Sequence, residues 1–386
     1  MSQKYASFNI QGPSVAVGVI IGAALAVYGL KLFRFDFWST RPEKKRREQA
    51  RARDQIVHGI EGLVGNTPLI RLKSLSEATG CEILAKAEFL NPGGSPKDRA
   101  ALNMIRQAES QGLIYPNTGS TIFEGTSGST GISIAMIARA KGYNAWIVMP
   151  DDQAEEKYQL LEKLGATVER VRPASIIDKN QYVNLAKRRA SEFGTDNRGD
   201  ENASEAEDYR KRPRGFFADQ FENLANYKAH YNGTAPEIYE QTNGKIDAIV
   251  TGTGGTIAGL SRYLKPLIPN LKVFLVDPPG SGLFHKIKHN IMYSPYEAEG
   301  TRRRHQVDTI VEGVGLNRIT ANFEIAHGWI DDAILVSDEE AVAMARYLVR
   351  EEGEVVWAFR ITYELGVESI RKSFSRKSAA FEAVTD

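Results

Sequence analysis

From Ile56 onward the chain alternates short runs of β-branched and aromatic residues with longer stretches whose apolar positions recur every three or four residues. ILAKAEF (83–89), STIFEG (120–125), AWIVMP (145–150), TVERV (167–171), DAIVTG (247–252) and VFLVD (273–277) read as strands. KDRAALNMIRQAESQG (97–112), GISIAMIARAKG (131–142), EEKYQLLEKLG (155–165) and IAGLSRYLKPLI (257–268) read as helices, several closing on glycine, the residue that best fills a left-handed C-terminal cap. This alternation predicts an α/β fold of doubly wound, mostly parallel sheets with helices on both faces and ligands at the strand carboxyl ends. Between Thr195 and Arg214, TDNRGDENASEAEDYRKRPR has almost no large apolar residue and reads as a solvated surface insertion.

The amino-terminal end breaks the alternation. SVAVGVIIGAALAVYGL (14–30) carries no charge. As a helix it would rise roughly 26 Å, close to the ~27 Å of a thin bilayer. Lys31, Arg34, Arg41, Lys44, Lys45, Arg46 and Arg47 follow it, a basic flank that keeps the next domain on the cytosolic side of a membrane. The pattern predicts a membrane anchor, and the short span with its basic flank resembles anchors of the mitochondrial outer membrane. A secretory signal cleaved after Ala24, Leu25 and Ala26 and a buried core helix are the alternatives. Only Lys4 precedes the apolar run, which counts against secretion.

Charge and cysteine content narrow the function classes. The 49 lysines and arginines balance 48 aspartates and glutamates, so no basic field points to nucleic acid. A single cysteine, Cys81, excludes an internal disulfide framework and a multi-cysteine metal site, and no metal is expected.

Three turns after predicted strands carry candidate chemistry. Asn91, Pro92, Gly93, Gly94, Ser95 and Pro96 lead into Lys97 at the mouth of a helix, whose positive dipole end disfavours the ammonium form and leaves a neutral amine able to form a Schiff base. Taken alone, Lys97 is an ordinary first-turn lysine. Thr126, Ser127, Gly128, Ser129, Thr130 and Gly131 converge hydroxyls and backbone N–H groups where a carboxylate would sit. A plain helix cap by Thr126 or Ser127 would account for only one or two of those hydroxyls. Gly252, Thr253, Gly254, Gly255 and Thr256 can hold a phosphate at a helix N-terminus. A nucleotide loop would compete with that reading, but neither the GxGxxG spacing nor a P-loop lysine is present.

VGNTPLIRL (64–72), NPGGSPKDRA (91–100), TSGSTG (126–131), DQFENLAN (219–226) and TGTGGTIAGL (251–260), in this order, resemble the cysteine synthase (O-acetylserine sulfhydrylase) and cystathionine beta-synthase family. The likeness runs from about Ile56 to Gly353, through VDPPGS (276–281), EGVG (312–315) and VSDEEAVAMARYLVREEG (336–353). It implies the two-domain fold type II of pyridoxal-phosphate enzymes, like the tryptophan synthase beta chain, with the cofactor between the domains. The division it suggests is an anchor and basic linker over 1–55, a smaller domain over 56–220, and a larger one over 221–386 that also takes in 68–90.

By the same resemblance, Lys97 carries pyridoxal 5'-phosphate covalently and later shuttles the substrate's α proton. Thr126, Ser127 and Thr130, helped by Gln220, would grip the substrate carboxylate, and Gly252 to Thr256 would hold the phosphate. The implied reaction replaces the acetate of O-acetylserine with sulfide to give cysteine, in a homodimer. Ser129 stands where the family has an asparagine that bonds the cofactor's phenolic oxygen; a hydroxyl can still donate one bond. After Gly353 the family continues with an apolar strand and a serine-rich turn against the pyridine nitrogen, whereas the tail 354–386 here begins EVVWAFRITY, and neither Thr362 nor Ser369 aligns with that turn.

Cystathionine beta-synthase chemistry and serine or threonine deamination are the enzymatic alternatives. An alternative of another kind is a membrane-tethered protein that binds the cofactor without turnover. Ser129 and the tail favour it; Lys97 and the phosphate turn oppose it.

Overall fold

The computed structural model describes residues 56–194, 210–252, 254–294, 297–298, 309, 311 and 313–353. The anchor expected over 14–30, most of the insertion (195–209), Thr253, Glu312 of the EGVG segment and the tail 354–386 lie outside the described residues. Among the described residues no helix is long and apolar enough to cross a membrane.

In chain order the elements are β1 (Leu69–Arg71), α1 (Lys73–Thr79), β2 (Leu84–Lys86), α2 (Lys97–Ser110), β3 (Thr121–Gly125), α3 (Ser129–Lys141), β4 (Asn144–Pro150), α4 (Glu155–Lys163), β5 (Thr167–Val171), α5 (Tyr182–Glu192) and β6 (Gly215–Phe217). There follow α6 (Ala225–Ala229), a π turn (His230–Thr234), α7 (Ala235–Thr242), β7 (Ala248–Thr251), α8 (Gly255–Leu267), β8 (Lys272–Asp277) and α9 (Leu283–His289). A small antiparallel pair, β9 (Tyr293–Ser294) and β10 (Glu297–Ala298), precedes α10 (Ala321–His327), β11 (Asp332–Leu335) and α11 (Asp338–Glu352). Both main sheets belong to the compact unit that begins at His58; of the preceding unit only Ile56 and Val57 are described, and both are exposed.

The first sheet has the order β5-β4-β3-β6 and is parallel throughout. Successive residues of β4 serve opposite faces, as the period of two requires. Ile147 and Met149 join Met104 and Ile105 of α2, Ile134 and Ile137 of α3 and Leu161 of α4 in one core. Val148 packs on the other face with Leu185 and Ala186 of α5. Gly125 lets α5 approach so closely, since a Cβ there would lie 2.5 Å from Val183 Cα.

The second sheet has the order β11-β8-β7, also parallel. Val273 and Leu275 of β8 pack with Ile257, Leu260 and Leu264 of α8 and Phe323 of α10. Val276 faces the other way, onto Leu72, Leu75, Met344 and Leu348. A strand buried on both sides needs an unbroken apolar run, which is why VFLV shows no alternation. The predicted α/β architecture of parallel sheets is the one the chain adopts.

The predicted helices start and stop within about two residues of those observed. Gly142 closes α3 in the left-handed region at φ 76°. At the other end, Ser337 and Glu340 form a reciprocal capping box on α11. The strand expected over 83–89 is corrected: β2 stops at Lys86, and Glu88–Leu90 is a 3₁₀ turn. Glu88 turns inward because its carboxylate accepts from Arg99 Nε at 2.7 Å and from Nη2 at 2.8 Å.

Candidate active site

The turn ahead of α2 is built around Asp98. This fully buried carboxylate accepts from the Gly93 N–H at 2.6 Å through Oδ2 and from Ser133 Oγ at 2.5 Å through Oδ1, tying the turn to α3. Gly94, at φ 78°, makes the bend, with its N–H on the Asn91 carbonyl at 2.8 Å. Lys97, half-buried, opens α2 from this anchored turn, its N–H on Ser95 Oγ at 3.2 Å. Burial brings its ammonium down to about 8. The expected direction holds but the cause differs: desolvation lowers the proton affinity where the helix dipole was expected to.

A buried ion network supports α2 from beneath. Arg99 makes two bonds to Glu88 and two to Glu237, the latter at 2.7 and 2.8 Å. Lys86 adds a bond to Glu237 at 2.6 Å, and Thr67 Oγ1 donates to Glu88 at 2.6 Å. The loop 65–67 closes the set, with the Asn66 N–H on Glu237 at 3.0 Å and the Gly65 N–H on Asn91 at 2.8 Å. Burial alone would raise the Glu237 carboxyl, but the Arg99 and Lys86 charges outweigh it and hold it at about 2. For Lys86 the balance reverses, and burial lowers its affinity for a proton despite Glu237.

The hydroxyl-rich turn follows β3. Thr126 is buried, its N–H bonded to the Val148 carbonyl at 3.0 Å and its Oγ1 accepting from the Gly128 N–H at 3.3 Å. Neither Thr126 nor Ser127 caps α3; Gly128 is the N-cap and no side chain bonds there. Ser127 is half-buried and presents its carbonyl to Lys157 Nζ at 3.4 Å. Ser129 is the first helical residue, and its carbonyl accepts from Ser133 Oγ at 2.9 Å. Thr130 Oγ1 donates to Gln220 Oε1 at 2.7 Å, so two segments picked out separately in the sequence meet.

The glycine turn after β7 is shaped by close contacts. Gly254, the N-cap of α8, has φ 75° and ψ −136°, a region that side chains exclude, and nothing would lie within 4 Å of a Cβ there. At Gly255 a Cβ would lie 2.3 Å from Asn226 Oδ1. Thr256 Oγ1 is 3.2 Å from His230 Nε2, and no side chain caps the helix. Gly252 follows the last residue of β7 and is buried; Thr253 lies outside the described residues.

A continuous set of contacts links the hydroxyl-rich turn to the glycine turn. Thr130 bonds Gln220; the Gln220 carbonyl accepts from Asn226 Nδ2 at 2.9 Å; Asn226 lies against Gly255. The turn that carries Lys97 is tied to α3 through Asp98 and Ser133, and the charges of Arg99 and Lys97 act on buried His230. Two more buried carboxyls stand at strand ends. Glu124, the residue before Gly125, is pushed well up by burial and then by Asp219, with the N–H groups of Asp219 and Gln220 near it but no hydrogen bond of good geometry. Asp277 ends β8 with Oδ2 on the Phe284 N–H at 2.8 Å and Oδ1 unpartnered, and burial raises it to about 7. Among the described residues no group of three His, Cys, Asp or Glu side chains is placed to hold a metal ion.

Sequence reasoning missed Lys86, Glu88, Arg99, Glu237, Asn226 and His230. Only Arg99 and Asn226 fell inside quoted motifs, and nothing in the sequence assigned them a partner.

A desolvated amine is the nucleophile a carbonyl compound needs. An uncapped helix start at Gly254 and Gly255, where among the described residues nothing lies within 4 Å of a Cβ at Gly254, suits a phosphate dianion. Together these define an α/β enzyme acting through a phosphorylated carbonyl cofactor. The chain belongs to the pyridoxal-phosphate dependent enzyme family, whose profile matches residues 60–357, and it uses pyridoxal 5'-phosphate. It is 59% identical over 301 residues, 77% of this chain and 70% of the relative, to cysteine synthase 2 of Emericella nidulans. A Saccharomyces cerevisiae relative named, provisionally, as a mitochondrial cysteine synthase is 52% identical over 76% of this chain and 72% of its own. The crystal structure of O-ureido-L-serine synthase superposes with a TM-score of 0.66 at 28% identity, covering 82% of this chain and 88% of that one.

Proposed function

We propose that the chain is a cysteine synthase, replacing the acetate of O-acetyl-L-serine with sulfide to give L-cysteine and acetate. The observation that supports this reading is the run Thr130–Gln220–Asn226–Gly255, which ties the hydroxyl-rich turn to the glycine turn, together with the lowered proton affinity of Lys97. An amino acid carboxylate and a cofactor phosphate are the two anions such a site would hold. The relatives' names support the product, cysteine.

In this reading Lys97 would hold the cofactor covalently, and its amine would carry the proton on and off the substrate's α carbon. Thr126, Ser127 and Thr130 with Gln220 hold the carboxylate, Gly252, Thr253, Gly254, Gly255 and Thr256 hold the phosphate, and Ser129 donates to the phenolic oxygen. When bound, pyridoxal phosphate supplies the electron sink for the α carbanion. The rest of the rate comes from orientation and from N–H groups already aimed at the anions.

The proposal extends to a smaller domain over 56–220 and a larger one over 221–386, to a homodimer, and to an anchor over 14–30 in the mitochondrial outer membrane with the enzyme facing the cytosol. The apolar run and its basic flank support the anchor, and the yeast relative's mitochondrial name supports the organelle alone.

An absorbance titration of the purified full chain tests the activity. The band of the lysine-bound cofactor should be present, shift when O-acetylserine is added, return on adding sulfide with release of cysteine, and vanish in Lys97→Ala. A Lys97→Ala protein with an unchanged band would refute the assignment.

A further inference from the structure

We propose that His230 is a positioning residue for the cofactor phosphate, its imidazole donating through Nε2–H to Thr256 so that the threonine's own proton is directed at the phosphate. This rests on Gly252–Thr256 being the phosphate turn.

His230 opens the π turn between α6 and α7, and only 2% of it is exposed. Its position relative to α8 is fixed by backbone contact: a Cβ at Gly259 would lie 2.5 Å from His230 Cβ and 2.6 Å from Tyr231 N. Nδ1 lies 2.9 Å from Thr234 Oγ1 and Nε2 lies 3.2 Å from Thr256 Oγ1, so both ring nitrogens face hydroxyls.

A neutral imidazole has one donor and one acceptor, which leaves two arrangements. In the first, Thr234 donates to Nδ1, Nε2–H donates to Thr256, and the Thr256 proton is free for an anion. In the second, Nδ1–H donates to Thr234 and Thr256 spends its proton on Nε2, turning a lone pair toward the turn. A phosphate dianion selects the first, and the selection reaches Thr234 at the far end of the π turn.

The ring stays neutral because burial, helped by the Arg99 and Lys97 charges and opposed by Glu88 and Glu237, brings it down to about 3. His230 therefore orients the threonine without adding a charge that titrates at physiological pH.

The test compares cofactor affinity with and without the phosphate group. The full-length apo protein is titrated with pyridoxal phosphate and with pyridoxal, read by intrinsic fluorescence, in the wild type, His230→Leu, His230→Gln and His230→Asn. His230→Leu should weaken pyridoxal phosphate about fivefold, the scale of one neutral hydrogen bond, and leave pyridoxal unchanged. Gln places an amide nitrogen near the Nε2 position and should restore most of the loss, with a wild-type-like ³¹P shift of the bound cofactor. Asn reaches only the Nδ1 position and should behave like Leu, which keeps the comparison informative even where the Leu variant does not fold.

Equal affinity of all four proteins for pyridoxal phosphate would overturn the inference while leaving the phosphate turn intact. So would parallel weakening of both ligands, which marks a packing defect. A wild type that binds pyridoxal as tightly as pyridoxal phosphate would overturn it together with the reading of Gly252–Thr256.

Discussion

Near pH 7.5, roughly a quarter of amines titrating at about 8 are neutral, against about one in a thousand for an ordinary lysine. Imine formation draws on the neutral fraction, so Lys97 should capture pyridoxal phosphate a few hundred-fold faster than a surface lysine of equal access. The perturbation is pH itself. The apo protein is mixed with cofactor, quenched with borohydride at set times and digested, and label at Lys97 is quantified by peptide mapping. The initial rate should rise about tenfold per pH unit up to about 8 and then level off. A rate still climbing past pH 9, or label spread over other lysines, would refute the desolvation argument. The same burial has a stability cost. With the folded value below the unfolded one, the unfolded chain holds more protons between about 8 and 10.5, so apo stability should rise with pH across that window, by at most about 3 kcal/mol. Lys97→Met should be correspondingly more stable than wild type at neutral pH.

Arg99→Leu leaves Glu88 and Glu237 buried without their shared cation and should cost about 3–5 kcal/mol in denaturant unfolding; a loss below about 1 kcal/mol would show the network to be dispensable. Glu237 is held at about 2, below its ordinary value, so its contribution is present above pH 4.5 and should be lost as pH falls toward 2, a slope missing from Glu237→Gln. Asp277 has the opposite sign: raised to about 7, it makes the protein lose stability as pH rises from about 4 through 7, and Asp277→Asn should remove that slope and be the more stable protein at pH 8, by up to about 4 kcal/mol. Identical pH profiles for wild type and Asp277→Asn would contradict the assigned burial. Gly255→Ala forces a methyl against Asn226 and should lower cofactor affinity at least tenfold with the far-ultraviolet spectrum unchanged, as a binding titration beside circular dichroism would reveal.

Much of the fold was legible because burial imposes a pattern on long elements. β3, β4, β5, β7 and β8 and the helices α2, α3, α4 and α8 appear where the periodicity places them. β6 (Gly215–Phe217) escaped because three residues cannot display a period, and β11 (Asp332–Leu335), no longer than β7, was not picked out. That strand-to-helix turns lead into Lys97, Ser129 and Gly255 was legible because such bends favour glycine and small polar residues, a composition visible without coordinates. The groups behind them were not. Glu237 lies in PEIYEQT, which reads as a half-solvated helix, and becomes meaningful only through Asn66 and Arg99, 171 and 138 residues away. His230 carries no signal until the π turn sets its ring between two threonines. The lowered proton affinity of Lys97 was anticipated from helix position, yet its cause is enclosure, which a linear sequence does not display.

The distance along the chain from Asn66 to Glu237 bears on how this protein is made. During translation the segment bearing Lys97 leaves the ribosome well before α7 does, so Arg99 waits with one of its two carboxylate partners still unsynthesised. The ion network under Lys97 therefore closes only when residue 237 has emerged, a late event in the making of the chain, and a nascent fragment that ends earlier holds Arg99 with Glu88 alone.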